Sequence, residues 1–367
     1  MSADYPHLFN HVPRPDAASL IEHLLGRRQR STVPMIEFIV DEPVVKAVTT
    51  NLFNRSWVPF GKDRESQTRY LDNLIFFWQR MGYDLMRYEN ALDFPGTSRM
   101  AQNTATNEIQ NRSWAEESQG MIASWEDFER YPFPRVEDFD FFPFEYLNRH
   151  LPEGMGLALA HGGGIFERVS WIFSIEKLCF LLYDQPELVN AVTQKVSDLQ
   201  LAFYRHLLEL DRLTAIFPGD DMGFRTATTI SPAALRQYFL PFHTRLAEMS
   251  HARGVPYFLH SCGNLLKIMP DLLDTVKIDG KHSYEDAIMP IEIFQEKFGS
   301  RTAVLGGMDI HLLATAPEAD IRARVRQLIA TCGPRGRFAI GSGNSIPDYV
   351  PLKNYLAMMD EILAQNQ

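Results

Sequence analysis

A histidine and a cysteine two residues apart close an apolar run: Val255-Pro256-Tyr257-Phe258-Leu259 leads into His260-Ser261-Cys262. Just past a buried strand, an imidazole nitrogen and a thiolate sulfur at this spacing can turn toward one point. Nitrogen with sulfur suits a tetrahedral zinc site. The alternative is a cysteine acting as a small buried apolar residue beside a hydrogen-bonded histidine. A third ligand must come from another strand end. Glu285, past the neighbouring run, is placed for it. Asp220 and Asp221 come next, one as ligand or base and the other capping a turn. Cys332, at the end of a helical stretch on the opposite face, and Cys179, inside an apolar helical stretch, read as structural.

Eight apolar runs can position these groups, over 33–39, 84–89, 156–161, 213–217, 255–260, 276–282, 302–306 and 337–341. Each has the length of a buried strand, and helical patterns such as 186–211, 232–253 and 317–332 fall between them. Ser231 before Pro232 marks a helix start, as N-cap and first helical residue. Eight strand–helix units predict an α/β fold of the (β/α)₈, or TIM, barrel type, with a doubly wound sheet as the alternative. Residues 1–32 are expected to form an N-terminal helical arm, with a helix over 17–30, and 33–367 the barrel. The stretch from about 91 to 150 is polar, then aromatic and Pro-rich. It predicts an insertion between the second and third strands at the barrel mouth, there for packing or as a lid.

Barrel chemistry sits at the C-terminal strand ends. Those ends carry Glu37, Tyr88, His161, Asp220, Asp221, His260, Cys262, His282, Glu285, Asp309 and Asn344. The metal ligands expected are His260, Cys262 and Glu285, and the catalytic groups Asp220, Asp221 and Glu37. Tyr88, His161, His282, Asp309 and Asn344 are the substrate-contact candidates. Their plain alternatives are packing for Tyr88, loop hydrogen bonds for the two histidines and a helix cap for Asp309.

Composition narrows the classes. The chain has 367 residues, 45% hydrophobic and 22% charged, ordinary values for a globular protein with a large core. A net charge of −10 speaks against nucleic acid or an anionic membrane as partner. Three cysteines build no disulfide framework, and no basic–apolar leader or long apolar span is evident, so a cytoplasmic location is expected. The run Gly162-Gly163-Gly164 lacks the spacing of a nucleotide site, and neither a nucleophile elbow nor an HExxH motif is present. Asp309-Ile310-His311 lacks the glycine that a corrinoid-binding sequence would place after it.

Several segments together resemble the uroporphyrinogen decarboxylase superfamily. They are Leu259–Asn264, Leu305-Gly306-Gly307-Met308-Asp309, Gly343-Asn344 through Val350-Pro351 and Asn354, Gly219-Asp220-Asp221 before Ile230-Ser231-Pro232, and the Trp125-to-Pro134 stretch. The resemblance implies a (β/α)₈ barrel and one of two chemistries. One is metal-free decarboxylation, which uses arginines after the first strand. Here that place reads Asp41-Glu42-Pro43, which would repel a polycarboxylate. The other is zinc-dependent methyl transfer between a thiol or methylated substrate and the corrinoid (cobalamin) of a partner protein. That branch is similar at His260, Cys262 and Glu285, but Gly341-Ser342-Gly343 stands where it has Gly-Cys-Gly. The expectation is a zinc-dependent methyltransferase acting on a small methylated molecule, a methoxylated aromatic being one candidate. A metal-free lyase is the alternative, and homodimerisation stays open.

Overall fold

Residues 4–96, 98–102, 111–115 and 120–366 are described by a computed structural model, 98–102 and 111–115 as the two strands of a hairpin. Successive strand side chains point to opposite faces, so one set must fill the barrel and the other must meet the helices. Nine strands occur among the described residues: β1 (Leu85–Asn90), β2 (Ser98–Gln102), β3 (Asn111–Ala115), β4 (Gly156–His161), β5 (Leu213–Ile216), β6 (Phe258–His260), β7 (Gly280–His282), β8 (Ala303–Leu305) and β9 (Phe338–Ala339). β2 and β3 form an antiparallel hairpin outside the main sheet. The other seven, with the segment 34–40, run parallel in chain order.

β1 pairs with β4 and β4 with β5, while β6, β7, β8 and β9 pair in sequence. Parallel bridges Ile216–Tyr257 and Gly219–His260 join the two sets, and Met35–Ile340 and Val40–Ile346 join β9 to the segment 34–40. Seven of eight seams therefore carry backbone pairing. The eighth, between 34–40 and β1, carries none among the described residues and is crossed by Arg87 Nη1 donating to the Phe38 carbonyl at 3.2 Å. The α/β reading and the order of the eight predicted runs agree with this arrangement.

The interior is filled by Ile36, Phe38, Leu85, Ala158, Ala215, Phe217, Phe258, Ala303, Leu305 and Ala339. β7 contributes Gly280, where a Cβ would come within 2.7 Å of the Phe258 ring. The helix Ala17–Leu24 adds Ala17, Leu20 and Leu24 to the same cluster. The expected N-terminal arm is thus packed into the barrel interior. Its helix stops earlier than 30 because Gly26 takes a left-handed φ of +69°. The helices Pro186–Leu207 and Glu318–Cys332 lie close to their predicted spans, and Ser231 Oγ accepts the Ala234 amide as an N-cap. Cys332 is buried as expected, but Cys179 is exposed.

Of the aromatic insertion, 97, 103–110 and 116–119 lie outside the described residues. Its described rings pack outward: Phe139, Phe141 and Phe144 contact Phe203 of the helix Pro186–Leu207. No helix among the described residues is long and apolar enough to cross a membrane.

Glu37 alternates with Ile36 and Phe38 and so faces away from the interior, toward Tyr83 and Tyr355. Its Oε2 accepts the Ser342 amide at 3.1 Å and its Oε1 accepts the Ser342 hydroxyl. It clamps the first segment to the loop after β9 rather than facing the barrel mouth. Burial raises its pKa to about 7, with the Ser342 hydrogen bonds only partly offsetting that rise. The folded state therefore holds this proton more tightly than the unfolded chain. Its contribution is full below about pH 4.5 and is lost as pH rises toward 7, on the order of 3 kcal/mol. Denaturant unfolding at pH 5 and pH 8 should show a smaller loss of stability in Glu37→Gln than in the wild type. Equal losses in the two proteins would mean that Glu37 titrates as an ordinary glutamate.

Candidate metal centre

Two loops build the site, and backbone contact between them sets its geometry. The loop after β5 runs Gly219-Asp220-Asp221-Met222-Gly223, and the loop after β6 runs Ser261-Cys262-Gly263-Asn264. The Asp220 amide donates to the His260 carbonyl at 2.9 Å and the Asn264 amide to the Phe224 carbonyl at 2.8 Å. The Met222 amide donates to Ser261 Oγ at 3.1 Å. Gly263, at φ +78°, lies so close to Gly223 that a Cβ on it would fall 2.3 Å from the Gly223 carbonyl carbon. Glycine is required where two backbones meet this closely.

This contact brings Asp221 beside the histidine–cysteine pair. Asp221 Oδ1, His260 Nε2 and Cys262 Sγ all lie within 4.8 Å of one another. His260 Nε2 is 3.4 Å from Cys262 Sγ and 3.5 Å from Asp221 Oδ1. A zinc ion with bonds of about 2.0–2.3 Å to N, O and S would set tetrahedral ligand–ligand edges of roughly 3.3–3.6 Å. These two edges fit such an ion. Asp221 Oδ1 also accepts the Cys262 amide at 2.8 Å, which fixes the carboxylate against the loop.

His260 is held on one face and at its far nitrogen. Its ring stacks on Phe38 with centroids 3.9 Å apart and planes 6° from parallel. The Arg87 guanidinium lies 3.7 Å over the Phe38 ring. His260 Nδ1 meets His282 Nδ1 at 2.6 Å, leaving Nε2 as the nitrogen that faces Cys262 and Asp221. Asn344 Nδ2 donates to Cys262 Sγ at 3.2 Å.

Burial, and then the Asp221 carboxylate, push the Cys262 thiol well above its ordinary pKa, and hydrogen bonds from Ser283 and Asn344 offset this only in part. The Asp221 carboxyl is raised by burial, but His260 and the Cys262 amide outweigh that and hold it below the usual range. His260 is pushed down by burial, with Asp221 opposing. A carboxylate, an imidazole and a thiol thus converge, and only a bound cation would make the sulfur a thiolate at neutral pH.

The remaining expected residues lie elsewhere. Glu285 is not in the cluster; its Oε1 accepts the Gly263 amide at 3.3 Å, so Asp221 takes the place expected for it. Asp220 points the other way, because neighbours in an extended segment face opposite sides. Its carboxylate accepts the Phe166 and Glu167 amides at 3.1 and 3.0 Å and meets His243 Nε2 at 2.8 Å, capping the helix Ile165–Phe173. His161 faces the helices: Nε2 accepts the Leu92 amide at 3.0 Å, Nδ1 lies 3.2 Å from the Gly163 carbonyl, and burial and Arg168 press its pKa down to about 3. Tyr88 packs on Phe144, and Asp309 caps the helix Ile310–Thr315 through the His311 and Leu312 amides. His282 stands behind His260. Ser342, at the place of the missing cysteine, gives its hydroxyl to Glu37 and points away from the sulfur.

The sequence reading missed Phe38, Arg87 and Glu167. An arginine within an apolar strand is the signal that could have shown Arg87. Glu167 sits three residues after Gly164, whose amide it accepts at 3.0 Å. Burial first, then Asp221, Asp220 and Glu89, raise its carboxyl above the usual range.

If Asp221 is the third ligand, Asp221→Ala should lower zinc affinity by roughly 10- to 100-fold or more, and Glu285→Gln should leave stoichiometry at the wild-type value. Competition against a chromophoric chelator measures both; the reverse ranking would return the ligand role to Glu285.

The comparisons with known proteins now bear on this barrel. A solved structure, a candidate vitamin-B12-independent methionine synthase from Listeria monocytogenes, is similar with a TM-score of 0.49 and 11% identity, over 92% of this chain and 98% of that one. At that level the likeness carries no functional argument. No protein with a curated description matches. Residues 145–364 match the family described as uroporphyrinogen decarboxylase (URO-D), which spans more than half of the sequence, β4 to β9 and the metal cluster. The chain belongs to the uroporphyrinogen decarboxylase family.

Proposed function

We propose that the protein is a zinc-dependent methyltransferase, moving a methyl group between a small methylated substrate or thiol and the corrinoid of a partner protein. The observation that carries the reading is the convergence of Asp221 Oδ1, His260 Nε2 and Cys262 Sγ at the C-terminal ends of β5 and β6. Those three residues would hold the ion. When bound, zinc would supply Lewis acidity, lowering the pKa of a coordinated thiol or polarising the oxygen or nitrogen that leaves a methyl group. One sulfur among three protein ligands makes a harder site than two, which favours the second use.

The chain's own groups do the rest. Phe38 and His282 keep the imidazole in one orientation. Asn344 Nδ2 steadies the sulfur by a hydrogen bond. Gly263 and Gly223 keep Asp221 in register with Cys262. Glu167, neutral and half-buried near Asp221, is placed to exchange a proton with a substrate at the mouth.

Metal-free decarboxylation of a polycarboxylate would need cations for the substrate, and three of those near the site are already engaged. Arg87 is bound to the Phe217 and Phe38 carbonyls and to Glu89. Arg168 donates to the Gly162 carbonyl, and Lys281 to the carbonyls of Ser261 and Ser283. Those three are engaged, whereas Arg225, in the loop after β5, is exposed.

Protein purified without added metal should carry about one zinc per chain by elemental analysis, as a single tetrahedral site implies. The double variant His260→Ala, Cys262→Ala should carry none. The wild type should demethylate a thioether, amine or methyl ether panel with free cob(I)alamin as acceptor, and the double variant should not. A wild type that binds no zinc after anaerobic addition would remove this mechanism.

A further inference from the structure

The metal reading leaves unexplained why two buried histidines touch through the same ring nitrogen. His260 Nδ1 and His282 Nδ1 are 2.6 Å apart, so one must carry a proton and the other must accept it. The far side of His282 decides which. His282 Nε2 lies 3.2 Å from the Ser342 carbonyl oxygen, which can only accept. His282 Nε2 therefore carries hydrogen. The ring is fully buried and its polar contacts are the Ser342 carbonyl and the His260 ring, with no carboxylate to balance a second proton, so its Nδ1 is bare. It follows that His260 Nδ1 donates and that His260 Nε2 presents a bare lone pair toward Cys262 and Asp221. The Ser342 peptide is itself immobilised, its amide and hydroxyl both bound to Glu37.

We infer that His282, anchored through the Ser342 carbonyl and Glu37, is a positioning residue that sets the tautomer of His260 for metal ligation. This rests on the metal-site reading, but the tautomer itself exists without the ion. The relay also gives Ser342 a role in place of ligation: its carbonyl ends the chain of hydrogen bonds. Without an acceptor at 282, the His260 proton is free to move to Nε2, where it blocks the ligand lone pair and can satisfy Asp221.

Nitrogen-15 NMR of histidine-labelled, metal-free protein reads the tautomers, with His260 and His282 assigned through the His260→Gln and His282→Gln variants. The expected result is hydrogen on Nδ1 of His260 and on Nε2 of His282 in the wild type. In His282→Leu the His260 proton should shift toward Nε2, and zinc affinity should fall roughly 10- to 100-fold. His282→Gln, whose amide can both accept and donate, should recover most of that loss. Hydrogen on Nε2 of His260 in the wild type, or unchanged zinc affinity in His282→Leu, would overturn the inference. Should His282→Leu fail to fold, the wild-type tautomers and the glutamine variant still decide. The predicted tautomers with no zinc uptake by the wild type would sustain the relay and overturn the metal reading alone.

Discussion

Asp221 Oδ1 and His260 Nε2 face each other across 3.5 Å, with Cys262 Sγ 3.4 Å from the same nitrogen. Two acceptors and a sulfur so arranged, in a pocket that keeps the thiol protonated, are stable together only with a proton or a metal cation among them. Much of the surrounding structure serves to keep these atoms from relaxing apart. The Phe38 ring and its Arg87 partner limit the imidazole on one face, His282 limits its rotation, and the Gly223–Gly263 contact prevents the two loops from separating.

The barrel makes such rigidity possible because its interior is closely packed. Large rings at Phe38, Phe217 and Phe258 alternate with alanines and with Gly280, so neighbouring layers interlock. The helix Ala17–Leu24 contributes to that packing. Phe38 belongs at once to this interior and to the wall of the candidate metal site. Arg87 likewise binds the carbonyls of Phe217 and Phe38 while stacking beside the site. A change in the interior is therefore transmitted to His260 through direct contact.

Charge at the mouth follows from how the cations are used. Arg87, Arg168 and Lys281 are bound to backbone carbonyls, where they stabilise loops rather than meet solvent. The carboxylates of Asp221 and Glu89 keep part of their surface exposed. These three cations are thereby engaged by the protein itself, while Asp221 and Glu89 present carboxylate surface to the mouth.

The sequence by itself determined the α/β class, the eight runs in their order, and the histidine–cysteine pair. Each of these is local: strand length, helical period and a spacing of two are properties of neighbouring residues. It also raised both Asp220 and Asp221 without separating them. That separation needed the extended backbone after β5, which turns one carboxylate to the helix Ile165–Phe173 and the other to the metal cluster. Spacing ranked Glu285 ahead of Asp221 as third ligand, but only the packing of one loop on the next says which oxygen reaches the sulfur. Glu37 and His161 were legible as strand-end residues, yet alternation places both outside the barrel interior, and a shift of one residue in register would have reversed that. The relay from Ser342 through His282 to His260 joins residues 22 and 60 positions apart and exists only in the folded chain. Hydrogen-bond direction depends on three-dimensional contact between distant groups, so it was for the tertiary structure to decide.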